Sequence, residues 1–116
     1  MHELPVMQSI LEIVLKHAHM HQMKKVHAIC LAVGALSELE DEWMQRYFNH
    51  LSEGTLAQGA MLKVERVPAV LSCEKCSHKF EIDKTRLDGI ICPQCGQNKF
   101  RLVSGNEYHI KNMEAE

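Results

Sequence analysis

Apolar residues recur every three or four positions along the first part of the chain, between Val6 and Ala18. This spacing predicts an amphipathic helix from about Leu4 to Gln22, with one apolar face directed toward the core. Pro5 is a favoured residue of a first helical turn, and Glu3 ahead of it suits the positive end of a helix dipole. We therefore expect the triplet Met1 to Glu3 to project from an anchored helix start.

The middle of the chain alternates between strand-like and helix-like patterns. Val26 to Gly34 is apolar on both of its alternating faces, which is typical of a central strand. Ser37 and Glu40 fit a capping box, so a second helix is predicted from about Leu39 to Ser52. Ala60 to Val67 alternates again and predicts a further strand.

Trp43 lies in this second predicted helix and is the one tryptophan of the chain. Together with Met44, Tyr47 and Phe48 it marks an apolar helical face, so we expect it to be a core residue. The alternative is that its side chain anchors a protein partner.

Four cysteines form two Cys-x-x-Cys pairs, Cys73 with Cys76 and Cys92 with Cys95, separated by fifteen residues. Two such pairs at this separation indicate a four-thiolate metal site. Zinc bound by four sulfurs in a tetrahedron has no open position for water, so its role is structural. Two disulfides or a redox pair are the alternatives. Both are disfavoured, because neither a secretory signal nor a thioredoxin-like pattern accompanies the pairs.

Further strands are predicted around these cysteines and at the end of the chain, at Val70–Ser72, Lys79–Ile82, Phe100–Val103 and Glu107–Met113. The order of elements predicts an α+β fold, with two helices packed on a three-stranded sheet and a zinc-ribbon-like module inserted before the last strand. The predicted domains are 1–67 together with 106–116, and 68–105 for the module.

Composition and charge narrow the functional classes. The chain has 116 residues, a formal net charge of −2 and no dense run of lysine and arginine, which counts against nucleic-acid binding. No apolar run is long enough to cross a membrane and no signal peptide is recognisable, so we expect a cytoplasmic protein without a membrane partner. Catalytic patterns such as Gly-x-Ser-x-Gly and His-Glu-x-x-His are absent, so we do not expect an enzyme.

The opening triplet Met1-His2-Glu3 offers a second kind of metal chemistry. A free α-amine, the next backbone nitrogen and the imidazole of His2 can reach one ion through small chelate rings. Such nitrogen ligands suit nickel or copper, which accept square-planar or tetragonal geometry. Because a histidine near a chain end is most often solvated, the triplet by itself does not decide the matter.

Further histidines crowd the end of the first predicted helix. His17 and His21 lie four residues apart on one helical face, a spacing that can hold a metal ion, and His27 follows. Histidines near a helix C-terminus are favoured by the helix dipole and are usually solvated. The solvated interpretation is preferred, and an enzyme with a second metal among these histidines is kept as an alternative.

Taken together, these segments resemble the HypA/HybF family of hydrogenase maturation proteins over essentially the whole chain. The resemblance rests on the opening triplet, Val33–Ser37 leading to Glu40 and Glu42, the four cysteines, and Gly105-Asn106-Glu107. It implies a nickel metallochaperone in which His2 is the side-chain ligand of delivered Ni²⁺. Met1 then supplies the amine, Glu3 a backbone nitrogen and a modulating carboxylate, and the four cysteines bind structural Zn²⁺.

The resemblance also implies partners. These are a maturation GTPase or ATPase, the large subunit of nickel–iron hydrogenase and, in some bacteria, urease maturation proteins. Some relatives carry histidines beside both cysteine pairs that are candidates for exchange with zinc thiolates. Here His78 lies beside the first pair and no histidine follows the second, so full exchange is not expected. The alternative outside this family is a zinc-ribbon module that binds nucleic acid or a transcription partner.

Overall fold

The computed structural model describes residues 3–83 and 89–116. The elements assigned among them are two helices, α1 (Glu3–Met20) and α2 (Asp41–Leu51), and the strands β1 (Val26–Gly34), β2 (Met61–Val67), β3 (Ala69–Cys73), β4 (Lys79–Ile82), β5 (Phe100–Ser104) and β6 (Tyr108–Ala115).

The described strands form two three-stranded sheets, in the orders β2-β1-β6 and β4-β3-β5. The first sheet brings the last strand of the chain beside its first strand. In the second sheet β3 pairs antiparallel with both neighbours, with Leu71 opposite Phe80 on one side and Leu102 on the other. The predicted α+β class, with two helices, a three-stranded sheet and an inserted cysteine module, is confirmed.

The main core is aliphatic and is built from the helices and β1. Of the apolar residues whose helical spacing predicted a core-facing stripe, α1 leaves Val6 and Leu15 half-buried and buries Met7, Ile10, Leu11, Val14 and Ala18. α2 adds Met44 and Phe48, which are fully buried, and the central strand adds Ile29 and Leu31. Each large apolar side chain taken out of water contributes about 1.5–3 kcal/mol before entropy is subtracted, so this face holds the two helices on the sheet.

The chain divides into two compact units. The first comprises the described residues within Met1–Ala32, Glu38–Glu65 and His109–Glu116, and the second those within Val33–Ser37 and Arg66–Tyr108. The first unit contains both helices, and the second contains the β4-β3-β5 sheet with the four cysteines. The domain boundaries drawn from the sequence stay a prediction.

The start of α2 differs from the sequence-based expectation. The helix begins at Asp41, with Glu40 as its N-cap in an extended conformation and no side-chain capping bond from that residue. The predicted capping box is therefore wrong. The N–H of Glu40 instead donates to the carboxylate of Glu3, with 3.1 Å between Glu40 N and Glu3 Oε2. A side chain distant in sequence therefore satisfies a backbone N–H at the start of the helix, where a neighbouring side chain was expected to do so.

Two segments cross closely within the second unit. Gly34 donates its N–H to the carbonyl of Glu107, and Leu36 donates to the carbonyl of Gly105, both at 2.7 Å. A Cβ on Gly34 would lie 2.1 Å from the carbonyl oxygen of Gly105, so no side chain fits at this position. The close approach of two backbones explains the glycine at residue 34.

Neither helix of the described residues combines the length and the apolar content that crossing a bilayer requires.

Candidate metal centre

The two cysteine pairs lie in turns of the same construction. Cys73 ends β3, its N–H donates to the carbonyl of His78, and its own carbonyl accepts the N–H of Ser77. Cys92 bonds in the same way with the carbonyl of Gln97 and the N–H of Gly96. The residue after each second cysteine, Ser77 or Gly96, has positive φ, at 61° and 75°. Glycine adopts this conformation without strain, whereas the equivalent Ser77 adopts it with a side chain present, which the Cys-x-x-Cys spacing does not reveal.

The turns bring all four sulfurs together. The Sγ atoms of Cys73 and Cys95 are 3.5 Å apart, as are those of Cys76 and Cys92, and the four lie within 4.8 Å of one another. Four sulfurs at about 2.3 Å from a tetrahedral zinc would be about 3.8 Å apart. A disulfide would need about 2.05 Å, and all four cysteines are free. The donor set and its spacing therefore suit zinc, and the disulfide alternative is wrong.

Burial differs within each pair. Cys73 and Cys92 are each only 1% exposed, whereas Cys76 and Cys95 lie at the surface. One ligand of each pair is thus part of the packed interior and the other faces solvent. Since four sulfurs fill the tetrahedral coordination of zinc, the site has no open position for water and is structural rather than catalytic.

The pKa values of the four thiols are pushed apart. Burial raises the pKa of Cys92, but N–H groups within its turn and the neighbouring thiols lower it to about 6. At Cys95 the Gln97 N–H lowers the pKa, but burial and the other three sulfurs raise it to about 12. The Cys76 N–H lowers the pKa of Cys73. At Cys76 the His78 N–H lowers the pKa, but burial and the thiols of Cys92 and Cys73 raise it above its usual value. The first cysteine of each pair is therefore the easier to ionise, and zinc takes all four as thiolates.

Aromatic side chains and backbone bonds support the turns. His78 stacks on Phe80 with 6.0 Å between ring centroids, and Phe80 meets Phe100 edge-on at 5.4 Å. Glu74 donates its N–H to the carbonyl of Lys99, which ties the first turn to the residue before β5. The four cysteines form a complete metal-binding group without His78, so an exchange role for that histidine stays untested.

The family model described as "Hydrogenase/urease nickel incorporation, metallochaperone, hypA" matches residues 1–115. The chain belongs to the HypA family. It is 34% identical over 116 residues to the hydrogenase maturation factor HypA of Acidithiobacillus ferrooxidans (strain ATCC 53993 / BNL-5-31), covering all of both chains. It is 35% identical over the same length to the hydrogenase maturation factor HybF of Escherichia coli (strain K12), again covering both chains fully.

Solved structures agree with this assignment. The solution structure of the nickel metallochaperone HypA from Helicobacter pylori has a TM-score of 0.69 and 25% identity, covering 99% of this chain and 97% of that one. A second HypA solution structure, 24% identical with a TM-score of 0.75, covers 99% and 96% and supports the fold alone. HypA proteins are metallochaperones rather than enzymes. Membership of this family is therefore preferred to the alternative of a zinc-ribbon module that binds nucleic acid or a transcription partner.

The proposed nickel triplet of this HypA family member is only partly within the described residues. Met1 and His2 lie outside them, so their part in nickel binding stays a prediction. Glu3 is described: it is the first residue of α1, it is 5% exposed, and its carboxylate accepts the Glu40 N–H. That carboxylate therefore fixes the base of the triplet to the start of α2.

The histidines in the last turn of α1 and just after it do not build a comparable centre. His17 and His21 stack with 6.1 Å between ring centroids and nearly parallel planes. Both are exposed, and His27 points to Glu116, with 3.4 Å between Nε2 and Oε1. Within the part of the chain that the structure describes, the four cysteines form the only group of three or more metal-ligating side chains. The solvated interpretation of these histidines accords with this result.

Proposed function

We propose that this chain binds Ni²⁺ at its N-terminus and delivers it to the large subunit of nickel–iron hydrogenase, while zinc in the cysteine centre maintains the fold. The α-amine of Met1, the backbone nitrogen and imidazole of His2, and the backbone nitrogen of Glu3 are the ligands. The HypA family match over residues 1–115 is the observation that carries this proposal.

The chemistry of the two donor sets supports separate tasks. The four sulfurs form a closed set suited to tetrahedral zinc, and leave no position for a second ion. Amine, amide and imidazole nitrogens suit the square-planar or tetragonal geometry of nickel. Since the Glu3 carboxylate already accepts a hydrogen bond from the Glu40 N–H, Glu3 coordinates nickel through its backbone nitrogen. An ion held at a chain end leaves without disturbing the core.

The nickel site is tested by titrating Ni²⁺ into tag-free, zinc-loaded protein that retains its first residue. His2→Ala and a form extended by two residues at the N-terminus should bind nickel at least tenfold more weakly, because each removes a ligand or alters the α-amine. His21→Ala is the matched control, as it removes an exposed histidine outside the triplet. Equal affinity in all four proteins would show that nickel binds elsewhere.

The partner assignment follows from the same proposal. A maturation GTPase or ATPase and the hydrogenase large subunit are the expected partners, and urease maturation proteins are a further candidate because the family description includes urease. Nickel-63 bound to the chain should pass to the purified metal-free large subunit faster than free nickel does in the presence of a competing chelator. No acceleration would exclude direct delivery.

A further inference from the structure

α2 presents an aromatic group at the surface, beside its buried face. Trp43 is 40% exposed and stacks on Tyr47 with 5.8 Å between ring centroids. The guanidinium carbon of Arg46 lies 5.1 Å from the centroid of the Trp43 ring. We call Trp43, Arg46 and Tyr47 the α2 ridge. Met44 and Phe48, the buried residues of α2, lie on an adjoining face of the helix, and the exposure of Trp43 shows that the prediction of a core residue is wrong.

The α2 ridge is held in place before any partner arrives. The guanidinium of Arg46 donates to the carboxylate of Glu42 at 2.7 Å, one helical turn earlier. Stacking and this exposed ion pair restrict the rotamers of the three side chains, which reduces the conformational entropy lost on binding. Tryptophan, tyrosine and arginine are also the residue types that dominate binding energy at protein interfaces.

Negative charge surrounds the beginning of the same helix. Glu38, Glu40, Asp41 and Glu42 are all exposed, and Arg46 is the first lysine or arginine after them. Asp41 and Glu42 suit the positive end of the helix dipole. Glu38 and Glu40 precede the helix, so the dipole does not account for the whole group. A complementary partner therefore carries lysine or arginine around an apolar cleft.

The α2 ridge lies near the triplet to which the proposed function assigns nickel. The Glu3 carboxylate bonds to the N-cap Glu40, and Trp43 follows three residues after it. The acidic end of α2 thus lies beside the base of the triplet to which we assign nickel. A protein that receives the ion directly has to contact this end of the molecule.

We propose that the α2 ridge and its acidic end dock the nickel recipient, the metal-free large subunit of hydrogenase, through an apolar cleft rimmed by lysine or arginine. This inference rests on the proposed function, since it takes its partner from the delivery of nickel.

The test measures binding of the purified cognate metal-free large subunit to immobilised full-length protein with zinc bound. Trp43→Ala should weaken binding about thirtyfold, the effect of losing one interface hot spot, while Trp43→Phe should keep most of the affinity. Glu38→Lys should weaken binding severalfold and reduce its dependence on salt, because it reverses one attractive charge outside the helix. Met61→Ala is the matched control: Met61 is 61% exposed but lies on β2, and its loss should change nothing.

Nickel affinity is measured on the same proteins, so that the two proposals fail separately. The inference is overturned if Trp43→Ala binds the large subunit as tightly as wild type does, or if the substitution weakens binding to the maturation GTPase and not to the large subunit. It is also overturned if nickel-loaded wild type does not bind the large subunit. If wild type takes up no nickel through its N-terminus, the proposed function fails regardless of the docking result. Far-ultraviolet circular dichroism of each variant verifies that the helices are intact.

Discussion

Substitution of Gly34 by alanine tests the close crossing of the two glycine-containing segments. The added Cβ would lie 2.1 Å from the carbonyl oxygen of Gly105, 2.2 Å from its carbonyl carbon and 2.6 Å from the nitrogen of Asn106. Ordinary van der Waals contact begins at 3.4 Å. All three neighbours are backbone atoms, so no side chain can rotate out of the way. One segment has to move by more than 1 Å relative to the other.

The energetic cost follows from the contacts that this movement breaks. Overpacking of a tight site costs about 1–3 kcal/mol. The bonds from Gly34 to Glu107 and from Leu36 to Gly105 are both 2.7 Å long, and losing them costs about 1 kcal/mol each. The expected destabilisation is therefore about 3–5 kcal/mol, a large part of the roughly 5–15 kcal/mol typical of a folded domain.

The assay is urea unfolding followed by circular dichroism at a fixed free zinc concentration, since zinc binding itself shifts the apparent stability. Gly54→Ala is the control, because Gly54 has φ of +77° but no atom lies within 4 Å of the position that its added Cβ would take. That substitution carries only the strain of a left-handed backbone, about 1–2 kcal/mol. If Gly34→Ala costs no more than Gly54→Ala, the two segments do not cross as closely as described, and the steric explanation for Gly34 is refuted.

Three further predictions concern the metal centre and the base of the triplet. Zinc binding to metal-free protein should release more protons at pH 5.5 than at pH 7.5, because the pKa of Cys92 is lowered to about 6 and its thiol becomes protonated below that value. Calorimetry in buffers of different ionisation enthalpy measures the number of protons released. Equal release at both pH values would contradict the lowered pKa of Cys92. Glu3→Ala should cost about 1–3 kcal/mol by leaving the partly buried N–H at the start of α2 without its carboxylate. Glu3→Gln should cost less in the same urea titration, because its amide oxygen can still accept the bond, and equal losses would argue against this role. Ser77→Gly should raise stability slightly and Gly96→Ala should lower it by about 1 kcal/mol, since both positions have positive φ; opposite signs in thermal melts would contradict the equivalence of the two turns.

Local patterns in the sequence predicted the elements and the zinc centre well. The spacing of apolar residues in α1 matches its buried face, because one helical face packs against the core whatever the partner. The two Cys-x-x-Cys pairs predicted the sulfur cluster, because each pair builds its own turn and four sulfurs share one geometric requirement. In both cases the information lies within a few neighbouring residues.

Long-range contacts were beyond the reach of such patterns. Gly34 and Gly105 stand in separate segments, and their crossing depends on the packing of the whole second unit. The capping box at Ser37 failed for the same reason: the Glu3 carboxylate, 37 residues before Glu40, bonds to the Glu40 N–H. Trp43 was assigned to the core because helical spacing alone does not distinguish the edge of a buried face from an exposed one.

The arrangement of ligands indicates why carrying and folding require different metal sites. Removing zinc from the cysteine centre would leave the turns at Cys73 and Cys92 without the ion that joins them, so an ion held there cannot be handed over without loosening β3 and β5. A cargo ion needs ligands whose release leaves every buried contact in place. Within the described residues no other group of three or more side-chain ligands exists. The nitrogens of the opening triplet, the ligands proposed above, would meet that requirement, and the described part of the triplet, Glu3, is joined to α2 through its carboxylate rather than its backbone nitrogen.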